Sequence, residues 1–332
     1  MRMTKPAYFD QFRCLAGSCP DSCCKEWGVQ VDEISAAYYR GLPGDLGHRL
    51  RQVLTEEDGE TVMVIENQRC PMWRPDGLCR IQAELGHDAL CKTCREFPRL
   101  THDYGDFVEL GLELSCPEAA RLILQSNHPS PIVSQIPDGE SPDYDREAME
   151  ILLETREAAL SLLTDEAYSP NEALALLLVY GYQAQALLDG DEVPDFSCDG
   201  VLAQAKALAK SSSLDDFLAF FANLEILTPQ WLHLLKEPGT PLPWSKEFRN
   251  LARYFVERYW LQAISDYDLV CRVKLAVISC IAIRYLGGDL QTTAQMYSKE
   301  IENDADNVDT LLDGAYENPV FTDDKLLYLL LP

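Results

Sequence analysis

Nine of the chain's twelve cysteines lie between Cys14 and Cys116, and any fold of that segment has to accommodate them. They fall into groups: Cys14, Cys19, Cys23 and Cys24; then Cys70 and Cys79; then Cys91 and Cys94; and finally Cys116. Three readings compete, namely a disulfide framework, a metal or iron–sulfur site, and a scatter of inert buried thiols. The opening residues 1–10 contain no apolar core and no small-residue cleavage site, so export through a signal peptide is not expected. A cytoplasmic, reducing location then disfavours disulfides and points the pattern towards metal or catalysis. Neighbouring Cys23 and Cys24 are also poorly placed to bridge each other.

Thiolates are soft ligands, and a closed zinc or iron–sulfur site takes four of them. Nine exceed one site, which leaves open a single cluster with spectators, two sites, or one site plus a redox thiol. The Cys91-Lys-Thr-Cys94 spacing lets one turn present two sulfurs to one ion. No βαβ pattern surrounds this pair, which weakens a thioredoxin-like reading. The usual radical S-adenosylmethionine motif is absent, because Cys19 and Cys23 fit its spacing but Glu26 stands at the third position. His87 and His102 read as surface residues beside so many thiols. The charges of Arg95-Glu-Phe-Pro-Arg99 either neutralise a thiolate site or cover surface.

The fold class expected is mainly α, with an irregular cysteine-rich metal- or cluster-binding N-terminal domain carrying short strands, followed by an α-helical domain. Residues 1–125 form the first part, with strands over Thr61–Ile65 and Asp106–Ser115 and helices over Asp32–Gly41 and Ile81–Leu90. Residues 126–143, with prolines at 129, 131, 137 and 142, read as a linker. Residues 144–332 form the helical domain. Apolar residues recur there at helical spacing over Tyr144–Leu163, Pro170–Leu188, Asp199–Lys210, Leu214–Leu224, Trp244–Ile264, Leu269–Leu286 and Leu290–Glu302. Ser169 caps the second of these helices, and Gly287-Gly288 ends the sixth.

Cys271 and Cys280 fall on opposite faces of one helix and read as core residues, while Cys198 has no evident partner. The acidic run Glu300–Asp309 lacks the loop glycine and bidentate glutamate of a calcium loop and reads as a solvated helix end. No phosphate loop, dinucleotide fingerprint, zinc-protease or nucleophile-elbow motif occurs. With 54 acidic against 28 basic residues and a net charge of −26, nucleic acid is not an expected partner. The nearest candidate for a membrane span, Leu275–Ile283, is too short and is bracketed by Lys274 and Arg284.

Several stretches resemble the flagellin lysine-N-methylase family. They are Lys5-Pro-Ala-Tyr-Phe-Asp-Gln-Phe-Arg-Cys14 with Cys19, Cys23-Cys24-Lys25 and Trp27; Cys70-Pro71; Gly77-Leu-Cys-Arg-Ile81; and Cys91-Lys-Thr-Cys-Arg-Glu-Phe-Pro-Arg99. The N-terminal part is also similar to a wider cysteine-rich group described as a zinc- or iron-chelating domain. In the C-terminal half the likeness extends over Arg253-Tyr-Phe-Val-Glu-Arg-Tyr259, Asp266-Tyr-Asp-Leu269, Val273–Ile278 and Ala294-Gln-Met-Tyr-Ser-Lys-Glu300. The resemblance implies a cytoplasmic bacterial enzyme that moves a methyl group from S-adenosylmethionine to lysine ε-amines of flagellin. It also implies a [4Fe–4S] cluster held by cysteines, with zinc as the alternative occupant. The catalytic residues and the S-adenosylmethionine site stay unassigned. A zinc-stabilised interaction protein and a redox sensor are the competing functions.

Overall fold

The computed structural model describes every residue except 26, 27, 58, 129, 138, 140 and 332. Glu26 and Trp27, which bear on the radical-motif spacing and on the family likeness, lie outside the described residues. The strands are β1 (Arg2–Lys5), β2 (Val29–Gln30), β3 (Leu54–Glu57), β4 (Glu60–Met63), β5 (Arg99–Asp103), β6 (Phe107–Leu112) and β7 (Ile132–Gln135). The first helices are α1 (Glu33–Gly41), α2 (Gly44–Val53), α3 (Arg80–Leu85), α4 (Lys92–Glu96) and α5 (Pro117–Leu124). They are followed by α6 (Arg146–Thr164), α7 (Pro170–Leu188), α8 (Cys198–Leu208), α9 (Leu214–Ala222) and α10 (Pro229–Lys236). The last are α11 (Lys246–Tyr259), α12 (Val270–Leu286), α13 (Leu290–Ile301), α14 (Ala305–Glu317) and α15 (Asp323–Leu330). The chain is mainly helical, and its short strands lie within the first 135 residues.

Two apolar cores organise these elements. The smaller one packs the β2–β4–β3 sheet against α1 and α2, and buries Val31, Tyr39, Leu50, Met72, Cys70 and Cys91. Asp32 closes the α1 end twice: one carboxylate oxygen accepts from Ser35 N at 3.0 Å and the other from Lys92 N at 2.8 Å, which ties α4 to α1. The larger core gathers the helices from α5 onward with Tyr8, Phe12 and β6. Phe217, Phe221, Trp231 and Tyr297 meet edge-on or tilted at its centre, with Phe221 and Trp231 centroids 6.4 Å apart.

The second sheet has the order β5–β6–β1–β7, with β1 parallel to β6 and antiparallel to β7. The proline-rich stretch expected to be a linker therefore carries a strand. Its prolines flank residues 132–135 and leave their amides available to pair with β1. The helix expected over Ile81–Leu90 breaks after Leu85, because Gly86 takes a left-handed φ of +90° and a single 3-10 turn follows. α12 is buried along almost its whole length, including Cys271 and Cys280, and ends at Gly287. There φ is +74°, and a Cβ would sit 2.5 Å from the Thr240 carbonyl, so only glycine fits. Among the described residues, no helix is long and apolar enough to cross a membrane.

The reading of Glu300–Asp309 as a solvated helix end needs correction. Glu300 is fully buried and accepts from Leu227 N at 2.9 Å, Thr228 N at 3.3 Å and the Thr228 hydroxyl, fixing the turn before α10. The acidic composition hid the burial because these donors lie more than 70 residues away. Burial pushes the Glu300 carboxyl above the usual carboxylate range despite its donors. A raised folded-state pKa contributes stability in full below the unfolded value of about 4.3, and that contribution fades as pH rises through the folded value. The stability of Glu300→Gln relative to the unaltered chain should therefore increase from about pH 4 to about pH 8 in urea denaturation. A difference that stays constant with pH would show that this carboxyl does not titrate abnormally.

Candidate functional site

The two cores leave a cavity of about 360 Å³ between them, and all nine cysteines of the N-terminal region line it. They arrive from separate elements. Cys14, Cys19, Cys23 and Cys24 lie on the irregular segment before β2, and Cys70 and Cys79 on the loop before α3. Cys79, Cys91 and Cys116 stand at the N-caps of α3, α4 and α5. Amides of the first turn face each of these three sulfurs and favour the thiolate, an effect that burial outweighs at Cys79 and Cys116. Cys198, Cys271 and Cys280 take no part in this wall.

No disulfide joins any of the twelve cysteines. Among the described residues, no three Cys, His, Asp or Glu groups stand close enough to enclose a metal ion with the side chains as they are. The sulfurs interact in pairs instead. Cys23 donates to Cys24, which lowers the Cys24 thiol to about 7 and raises that of Cys23. Cys94 donates to Cys91 in the same manner, with the Cys91 thiol lowered and the Cys94 thiol raised. Burial pushes Cys70 up to about 12 and Cys116 up to about 11, and raises Cys19 and Cys79 as well. This donor set suits a soft or borderline cation: binding exchanges the thiol protons for metal and removes the penalty that burial places on thiolates.

Cationic side chains surround the wall. Arg13, Arg99 and Lys299 all line the cavity, and the Arg99 guanidinium lies 5.2 Å from the Phe12 ring centroid. Arg99 thus belongs to the site, whereas exposed His87 does not. Asp21 sits between Cys19 and Cys23. Burial opposes its ionisation, but Lys25 at 2.6 Å, Gln295 at 2.8 Å and Lys299 at 3.4 Å prevail and hold its carboxyl below the usual range. Gln295 Nε2 also donates to Ser115 O at 2.8 Å, so one amide on α13 secures both the first cysteine loop and the residue before Cys116.

A second cavity of about 440 Å³ lies beside the β5–β6–β1–β7 sheet and was not foreseen in the sequence. Its wall carries Tyr8, His102, Glu109, Arg156, Glu257 and Arg258. Arg156 grips Glu109 through two bonds of 2.7 and 2.6 Å. Glu257, half-buried on the cavity wall, has its carboxyl raised by the surrounding protein although Arg253 bonds it at 2.7 Å. His102 is half-buried here and not at the surface as expected, and burial lowers its pKa. Tyr254 joins the two regions. Its hydroxyl donates to Glu302 at 3.0 Å and accepts from Leu114 N at 3.3 Å and Arg258 Nη1 at 2.6 Å. The signal for this cavity was the stretch Arg253–Tyr259, which carried the resemblance but supplied no chemical role.

Comparison with known proteins matches 129 residues, 37% of the chain. Over them it is 33% identical to a lysine-N-methylase of Salmonella typhimurium, of which 32% is covered. The same identity relates it to the flagellar biosynthetic protein FliU of Salmonella muenchen, of which 76% is covered. A lysine-N-methylase of Salmonella choleraesuis is likewise 33% identical over 32% of its length. The match spans about a third of the two lysine-N-methylases. No protein-family model and no solved structure matches the chain.

The double role of Gln295 gives a direct test. Gln295→Ala removes one of three donors to Asp21 and the side-chain donor to the Ser115 carbonyl, and is expected to cost about 1–3 kcal/mol of stability. Under anaerobic native conditions it should also speed labelling of Cys19, Cys23 and Cys116 by a thiol reagent. Unchanged labelling rates would show that α13 does not hold the wall together.

Proposed function

Because the chain belongs to the flagellin lysine-N-methylase family, we propose that it transfers a methyl group from S-adenosylmethionine to ε-amines of surface lysines on flagellin in the cytoplasm. A [4Fe–4S] cluster held by cysteines of the nine-thiol wall is part of this reading. Its main support is the convergence of all nine cysteines on one cavity, with none consumed in a disulfide. The names of the relatives, lysine-N-methylase and flagellar biosynthetic protein, support the reaction class and the flagellar substrate.

In the transfer, the amine nitrogen forms a bond to the methyl carbon while the carbon–sulfur bond breaks. Its electron pair stays on sulfur, converting the sulfonium to a thioether, and the amine gives up a proton. A lysine with a pKa of about 10.4 is mostly protonated at neutral pH, so the chain has to supply a proton acceptor. Glu257 is the carboxylate we assign to that task, since burial already raises its affinity for a proton and it faces a cavity of ligand size. Arg156, Glu109 and Arg258 frame the same cavity and fix polar groups there. When bound, an iron–sulfur cluster supplies a one-electron couple and Lewis-acidic iron. The chain's excess of acidic residues favours approach of a lysine-bearing surface.

The test uses anaerobically purified chain, flagellin and S-adenosylmethionine labelled in the methyl group. Cys91→Ser with Cys94→Ser is expected to lower transfer by more than about 100-fold, since loss of a ligand exceeds the usual cost of disturbing a ligand's hydrogen-bond partner. Retained transfer in that variant, or stoichiometric zinc without acid-labile sulfide, would remove the cluster. Glu257→Gln should lower kcat by about 10²-fold and displace the acid limb of the pH profile, with iron content unchanged. An unaltered pH profile would dismiss Glu257 as the proton acceptor.

A further inference from the structure

Two sets of clamps hold most of the nine thiols. Cys19 and Cys23 flank Asp21, and Gln295 bonds both Asp21 and the carbonyl of Ser115, next to Cys116. Cys116 itself packs in the larger core at the start of α5. The other clamps belong to the smaller core, which contains Cys70 and Cys91 and has Cys24 and Cys79 packed against it. Cys70 N donates to Cys24 O at 2.7 Å, Trp73 N to Cys70 O at 2.9 Å, and Trp73 bridges to Cys79. Tyr39, buried in the same core, donates to Ala89 O at 2.7 Å and fixes the approach to Cys91 and Cys94.

The electrostatic neighbours follow the same division apart from Cys24, which also acts on Cys19 and Cys23. Cys116 is acted on by Cys19 and Cys14, and Cys23 by Cys24, Cys14 and Cys116. Cys70 is acted on by Cys24, Cys79 and Cys91, and Cys94 by Cys91, Cys24 and Cys70. The sets meet at the adjacent residues Cys23 and Cys24, whose sulfurs bond each other, while Cys23 also faces Cys14 and Cys116 and Cys24 faces Cys79.

We infer that the cavity holds two separate thiolate centres, one built from Cys14, Cys19, Cys23 and Cys116 and the other from four of Cys24, Cys70, Cys79, Cys91 and Cys94. This rests on the reading above that the cysteines hold an inorganic centre, and it names how many there are and which residues serve each. Each centre takes a cation of zinc or iron–sulfur chemistry, because four thiolates satisfy either. Each thiol releases its proton to solvent as its sulfur binds. The division also accounts for the paired Cys23 and Cys24, which no single four-thiolate site requires.

Reduced, metal-free full-length chain titrated anaerobically with cobalt(II) alone tests this through thiolate-to-cobalt charge-transfer absorption. The unaltered chain should saturate at two equivalents. Cys14→Ser with Cys19→Ser, and separately Cys79→Ser with Cys94→Ser, should each saturate at one equivalent with helical circular dichroism retained. Saturation of the unaltered chain at one equivalent overturns the division and leaves a single thiolate centre standing, and that measurement involves no variant that could misfold. Loss of all absorption in either folded double variant also overturns it. No charge-transfer absorption at any cobalt concentration overturns the thiolate-centre reading itself.

Discussion

The buried amide of Gln295 is the contact on which the first cysteines and Cys116 depend for their place in the thiol wall. It lies on α13, deep in the helical body, and donates at once to the Asp21 carboxylate and to a backbone carbonyl beside α5. A carboxylate in that position needs donors, because burial alone favours its protonation. Gln295, Lys25 and Lys299 provide them, and the irregular N-terminal segment is thereby fixed against the helices. Without these contacts the first cysteines would sit on a loop with few apolar anchors, since Cys14 and Cys23 are exposed.

A second polar system runs parallel to it. Glu302 receives both the Tyr254 and Tyr259 hydroxyls and pairs with Arg258 at 3.3 Å. Tyr254 also accepts from Leu114, two residues before Cys116, so the wall of one cavity is bonded to the wall of the other. Such buried networks are costly when partly satisfied and rigid when complete. Their completeness here keeps two ligand-sized spaces in fixed relation across the helical body.

Much of this was legible in the chain. Cysteine grouping located the thiol wall, because soft side chains crowded into a third of a sequence have few other uses. Helical periodicity located α6, α7, α12 and α13, each long enough for its apolar face to repeat. The four-residue strands β1 and β7 were missed because they are too short for alternation to register, and their pairing joins residues some 130 positions apart. Glu300 was misread for a related reason: its partners at Leu227 and Thr228 are invisible to local pattern. The second cavity escaped notice because Tyr8, His102, Glu109, Arg156 and Glu257 come from distant stretches and form no spaced motif.

The tie between Asp21 and Gln295 spans 274 positions. During synthesis, the first cysteines emerge long before the helix that fixes them, so that side of the wall is closed only when nearly all of these residues have left the ribosome. An inorganic occupant held by those first cysteines would therefore be loaded late, into a chain whose early thiols have waited in the open. The reducing power of the surroundings during that interval becomes a condition of maturation.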